Sequence, residues 1–272
     1  MVDTHTSPTS ANAAGDGSVA KVSRWLARYW LQTLGLVLGA IAWEVIGRAG
    51  VSPALPPISA VFAAGTELWS SERFVESVKT TAGSILIGLP PSLVVGVALG
   101  LLMGLFQPVE WFFRPYVNAS LSLPLVAVIP IILLIFGLSR TTIVVVIILY
   151  VLPVVMVNTF AGVRSTDRDL IDMARSFNAR RGLTIRRIVL PSSRALTLAG
   201  VRIGVGRAIT GGIVAEQVIG VLGVGGLVQR LGGAFAVEAL YAVILFIGTV
   251  GVLSLALINR IEQRYQIKEI RA

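Results

Sequence analysis

The chain has 272 residues, 55% of them hydrophobic and only 14% charged, with a formal net charge of +9. Globular domains carry about 25% charged residues, so the composition excludes a soluble protein and marks an integral membrane protein. Basic residues lie beside apolar runs without interleaved aromatics, which argues against nucleic acid; with no cysteine and only His5 in a polar tail, thiolate or histidine chemistry is excluded.

In chain order, residues 1–24 have a Ser/Thr/Ala/Gly/Asp-rich composition without apolar periodicity, and are expected to form a disordered tail. The rest, 25–272, is expected to be one membrane domain. A bilayer core requires about 20 apolar residues per helix. By that measure six spans are predicted, at 30–47, 80–105, 115–137, 142–162, 195–217 and 238–259. The first follows Lys21, Arg24 and Arg28 and has the character of an uncleaved signal anchor. Between spans one and two, a proline-containing loop (Val51 to Pro57) precedes a short amphipathic helix from Ile58 to Trp69. Gly96, Gly100 and Gly104 give span two a smooth packing face, and Gly200 and Gly204 do the same for span five. Pro124, Pro130 and Pro153 are expected to kink spans three and four.

Residues 164–194 form a hydrophilic island with eight arginines against three aspartates. Thr166 and Asp169 fit a capping box opening a short helix. Leu170, Ala174 and Phe177 follow at helical spacing as one apolar stripe, and Asn178 stands where a left-handed residue ends a helix. A second amphipathic segment runs from Arg180 to Leu190, and Pro191 is expected to break the chain before span five. Such a loop could lie among lipid headgroups or dock a partner protein. The loops after spans one, three and five hold few basic residues, so the positive-inside rule places both termini and the island in the cytoplasm.

Ionisable groups inside spans are functional candidates because a charge at bilayer depth costs several kcal/mol. Arg202 sits near a span end and is expected to snorkel. Arg207 and Glu216 are deeper; they pair between helices or subunits, or line a pathway. Glu44 in span one is a further pairing candidate. Asn118 with Ser122, and Asn158, are weak pathway candidates, for each of which ordinary helix–helix hydrogen bonding is the better explanation.

The island's spacing carries a resemblance. Asp172-Met173-Ala174, three residues, Asn178, nine residues, then Ile188-Val189-Leu190-Pro191 is similar to the EAA loop of permease subunits of ABC-type importers. Asp, Met and Asn replace the pattern's Glu, Ala and Gly. Leu55-Pro56-Pro57, Phe136-Gly137, Gly200-Val201-Arg202, Ala215-Glu216 and Gly223-Val224-Gly225 extend the likeness to the branch importing sulfonates, taurine or nitrate. The resemblance implies an all-α, six-span type I importer fold in the bacterial cytoplasmic membrane, with coupling helices between spans four and five. It also implies a second permease copy in a homodimer, two cytoplasmic ATPases, an extracytoplasmic binding protein and contact with membrane lipids. Carried over by position, ATPase coupling falls on Leu170, Ile171, Asp172, Met173, Ala174, Phe177 and Asn178. ATP and magnesium would belong to the partner ATPase, with no cofactor on this chain. Independently, none of the three lysines (Lys21, Lys79, Lys268) follows a glycine, so the chain lacks a phosphate-binding Gly-Lys loop. The expected function is therefore a permease for a small anionic solute, not an enzyme. An importer for an aromatic acid or vitamin precursor, and an autonomous secondary transporter or channel, stand as alternatives; the latter predicts inverted repeats, and none is evident.

Overall fold

The computed structural model describes the backbone from residue 16 to 270 and side chains from residue 30 to 260. Up to residue 15 the expected tail lies outside the described residues; from Asp16 the backbone is helical. The described elements are α1 (Asp16–Arg48), α2 (Ile58–Trp69), α3 (Glu72–Leu105), α4 (Gln107–Ser122), α5 (Leu125–Phe136) and α6 (Arg140–Arg164). They continue with α7 (Arg168–Ser176), α8 (Arg181–Thr184), α9 (Leu190–Ile219), α10 (Gly223–Gly233) and α11 (Val237–Ile270). The amphipathic helix expected at Ile58–Trp69 is α2.

The chain divides into two compact units, residues 1–63 and 64–272. In the first, the Trp43 indole N–H donates to the Pro56 carbonyl at 3.0 Å. A Cβ on Gly47 would come within 2.6 Å of Pro57 backbone atoms, so glycine permits this close approach of the loop to α1. Glu44 pairs locally, accepting from Arg48 Nε (2.6 Å), Ser59 N (3.0 Å) and Ser59 Oγ (2.8 Å).

In the second unit α6 is packed between α3 and α9. Its Ile143, Ile147, Val151 and Val155 recur every fourth residue and are fully buried. The faces that receive them are small. On α3 they are Ser84, Gly88, Ser92, Gly96 and Gly100, and on α9 Gly200, Gly204, Ala208, Gly211 and Gly212. A Cβ on Gly96 would lie 2.9 Å from Val155 Cβ, and one on Gly204 would lie 2.9 Å from Val155 Cγ2. Both flanking helices thus close on the same valine. Lipid tails are as apolar as these side chains, so close contact, more than removal from water, holds the seam.

The third expected span differs from a single kinked helix. α4 and α5 meet at 104°, with Leu123 extended (φ −75°, ψ 134°) before Pro124. The ring of Pro124 drives the preceding residue out of the helical region, so the helix ends there and a new one starts. Pro90, Pro91, Pro115, Pro130 and Pro153 lie inside helices that continue through them. Among the described residues five helices are long and apolar enough to cross a membrane, and the bent pair makes a sixth if it counts as one crossing.

Candidate functional site

The arginine-rich loop leaves α6 and folds into α7. Asp167, not Thr166, caps this helix: its Oδ1 accepts the Asp169 N–H at 2.9 Å. The expected Thr166–Asp169 box is absent because Thr166 is turned inward, 6% exposed, and its hydroxyl has no hydrogen-bond partner. At the other end Asn178 adopts φ +50°. Asn178 N donates to the Arg175 carbonyl and Ala179 N to the Ala174 carbonyl, both at 2.9 Å. This paired closure satisfies two terminal carbonyls and requires a residue that tolerates the left-handed region.

The apolar residues of α7 divide into two faces rather than the single stripe of Leu170, Ala174 and Phe177. Ala174 is buried and Ile171 half-buried, fastening the helix to the protein. Leu170, Met173 and Phe177 form an outward ridge, Phe177 being 81% exposed. Asp172 is exposed and accepts from Arg175 Nη1 at 3.1 Å. Leu170 to Asn178 therefore present an unpaired apolar ridge rimmed by charge.

Pro191 does not break the chain. After α8 the helix widens into a π turn over Ile185–Val189, where Leu190 N–H reaches the Ile185 carbonyl, and runs on into α9. The wide turn moves the ring of Pro191 off the carbonyl it would strike in a regular helix, and its missing N–H falls where the ladder is already reset. At the start of the loop, buried Glu110 of α4 accepts from Arg114 Nη1 at 3.1 Å and also from Arg164 at the end of α6. One carboxylate thus ties the broken helix pair to the helix that feeds the loop.

The in-span candidates are dispersed. Glu216 is fully buried. Thr81 Oγ1 of α3 lies 2.8 Å from both carboxylate oxygens, and Gly225 N–H donates to Oε2 at 3.0 Å. Thr81 Oγ1 also accepts the Val224 N–H at 2.9 Å. The carboxylate therefore rests on the first turn of α10, whose dipole favours negative charge. Gly223 (φ +66°) makes room, since any Cβ there would overlap the carboxyl group. Arg207 stands apart from Glu216: it is exposed on α9 and forms no ion pair among the described residues. It lines an open cavity of about 460 Å³ with Arg202, Gly206, Thr210, Leu255 and Asn259. Arg202 Nη1 donates to Asn259 Oδ1 at 3.4 Å, so a side chain expected to snorkel meets a partner on α11. Asn118 and Ser122 are exposed together at the end of α4, joined by a bond from Ser122 Oγ to the Asn118 carbonyl (2.8 Å). Asn158 is half-buried, donates to the Val154 carbonyl, and packs against Gly200.

Sequence reasoning did not single out Thr81 or Glu110, and it met Gly223 only within the Gly223-Val224-Gly225 likeness, not as the neighbour of Glu216. Glu110 and Arg114, four apart at the polar end of a span, carried a local signal. Thr81 carried none, being 135 residues from its partner.

Residues 93–267 match the family described as "Binding-protein-dependent transport system inner membrane component". The formylaminopyrimidine transport permease of Halalkalibacterium halodurans is 30% identical over 85% of this chain and 92% of its own. The putative aliphatic sulfonates transport permease of Bacillus subtilis is 28% identical over 86% of each. The taurine transport system permease of Escherichia coli is 27% identical over 85% of this chain and 87% of its own. Among solved structures, an amino acid ABC transporter chain superposes with a TM-score of 0.56 at 16% identity, covering 72% of this chain and 93% of that one. That likeness shows a shared fold, the type I importer permease.

Proposed function

Because the chain belongs to the family of binding-protein-dependent transport system inner membrane components, we propose that it forms the translocation pathway of an ATP-driven importer for a small anionic solute. It is a multi-pass inner-membrane permease subunit, not itself an enzyme, of a family that works with ATPase subunits. In our reading residues 25–272 are the permease domain, both termini face the cytoplasm, and the 164–194 loop is the coupling element. A second copy completes the pathway, two ATPases bind ATP and magnesium, and an extracytoplasmic protein delivers the solute. The outward ridge of Leu170, Met173 and Phe177 carries this reading: an apolar ridge on a charged loop is the surface a partner's groove covers. ATP-driven closure of the ATPases would move α7 as a rigid body and swing the spans between inward- and outward-open states.

Arg207 supports an anionic cargo, since an exposed guanidinium midway along a span requires a polar surrounding, which a water-filled pathway supplies. The sulfonate and taurine relatives agree with that chemistry. The formylaminopyrimidine relative favours a second reading, a vitamin-precursor cargo, in which Arg207 meets a polar heterocycle. Phe177→Asp tests the coupling role without disturbing the core. Loss of a central aromatic anchor costs about 2 kcal/mol or more, so ATPase co-purification should fall at least about 30-fold and ATP-driven uptake should cease. Normal association and uptake by the inserted variant would refute the proposal.

A further inference from the structure

Beneath the coupling helix lies a second cavity, of about 700 Å³, walled by the end of α3 (Gly104, Leu105), the end of α6, the inner side of α7 and the π turn. Four arginines line it: Arg164, Arg168, Arg175 and Arg181. No acidic side chain does. Glu110 and Asp172 stand against Arg164 and Arg175 from outside the lining, whereas Arg168 and Arg181 form no ion pair among the described residues. Arg181 instead lies 5.7 Å from the centroid of the Phe106 ring. The same wall holds Thr166, only 6% exposed, whose hydroxyl has no partner.

Like charges gathered around one hollow repel each other, and a buried hydroxyl without a partner is a standing cost. A single occupant relieves both. It must be anionic, offer several acceptor oxygens, and reach the junction of apolar spans and polar loop. Guanidinium groups pair with phosphate oxygens in a two-pronged geometry, and basic pockets between membrane helices suit phospholipid headgroups. We propose that this cavity binds a phosphoryl oxyanion, supplied by an anionic phospholipid headgroup or by free phosphate, held by Arg168, Arg181 and the Thr166 hydroxyl. The occupant touches the spans and the coupling helix together, so it sets how stiffly the loop is mounted.

The purified full chain in neutral detergent is titrated separately with inorganic phosphate and with short-chain phosphatidylglycerol, while thermal unfolding is followed; phosphatidylcholine, whose phosphate is offset by a quaternary ammonium that the arginines repel, serves as the zwitterionic control. A saturable rise of the midpoint with either anion, and none with phosphatidylcholine, is expected. Saturation with phosphate alone identifies a free anion; saturation only with the lipid identifies a headgroup. The Arg168→Gln/Arg181→Gln double variant should weaken the apparent affinity at least about tenfold, two charge-assisted contacts being lost. Arg186→Gln/Arg187→Gln removes the same charge outside the lining and should leave it unchanged. Thr166→Val deletes the unpartnered hydroxyl, so it should keep or raise the unliganded midpoint and still weaken binding, which decides the matter if the first variant does not fold. No saturable rise, or equal weakening in both arginine double variants, overturns the proposal.

Discussion

Glu216 is a carboxylate sealed inside a membrane protein, and its surroundings show how such a group is tolerated. The Thr81 hydroxyl and the Gly225 N–H replace the water it would otherwise bind, and the start of α10 adds a favourable dipole. Glu216→Gln puts an amide N–H₂ where a second acceptor is wanted, and should lower stability by about 1–3 kcal/mol, read as a lower thermal midpoint in detergent. Gly223→Ala should be destabilising twice over, through its positive φ and through overlap with the carboxyl group. The overlap vanishes when the carboxylate is absent. Glu216→Ala/Gly223→Ala should therefore lose less than the two single variants added together, with a coupling of about 0.5–3 kcal/mol; strict additivity in thermal unfolding would contradict the geometry. The sequence marked Glu216 as exceptional, because a charge inside an apolar run is visible locally. Its engagement with Thr81 was not visible, since the two residues meet only when α3 and α9 flank α6.

The helices show the same division between local and tertiary information. The glycine ladder of span two was legible, because four-residue spacing alone defines a face, and that face is where α6 packs. The break at Pro124 and the continuity at Pro191 were not. Both are prolines in sequence of helical pattern, and their opposite outcomes depend on whether the preceding residue turns extended or the helix widens around the ring. Two glycines make the packing contrast testable. A Cβ at Gly100 would come within 2.6 Å of the Met156 carbonyl oxygen and Thr159 Cβ, while Gly182 in α8 has nothing within 4 Å. Gly100→Leu should cost about 1–3 kcal/mol or more by forcing the α3–α6 seam apart. Gly182→Ala should instead gain about 0.5–1 kcal/mol, through better helix propensity alone. Thermal unfolding of the two variants should shift in opposite directions, and a shared direction would contradict the assigned packing.

At the scale of the whole chain, the proposed coupling would send movement at the loop to the spans through Glu110 and the long helix that contains the π turn. Glu110 holds α4 to the end of α6 through Arg164, a side chain half open to solvent, so its screened contribution is about 1 kcal/mol. That is small for folding but not for transmission. Glu110→Gln should leave the chain inserted and the ATPases bound, yet lower uptake per ATP hydrolysed; an unchanged ratio in reconstituted vesicles would show that the tie does not transmit. The second half of the loop and span five, meanwhile, are one helical stretch of 39 residues, Arg181–Ile219. At 1.5 Å per residue this is a rod about 58 Å long. The short non-helical link from Phe177 to Arg180 is then the only joint between the ridge on α7 and that rod. A shaft with one joint at its end behaves as a see-saw: for a pivot at its middle, a push of about 3 Å at Arg181 rotates it by about 6° and returns the same 3 Å, reversed, at Ile219. Under the proposed coupling, where the pivot falls, at the glycine-lined crossing with α6, would set the gearing between the stroke delivered at one end of the rod and the opening produced at the other.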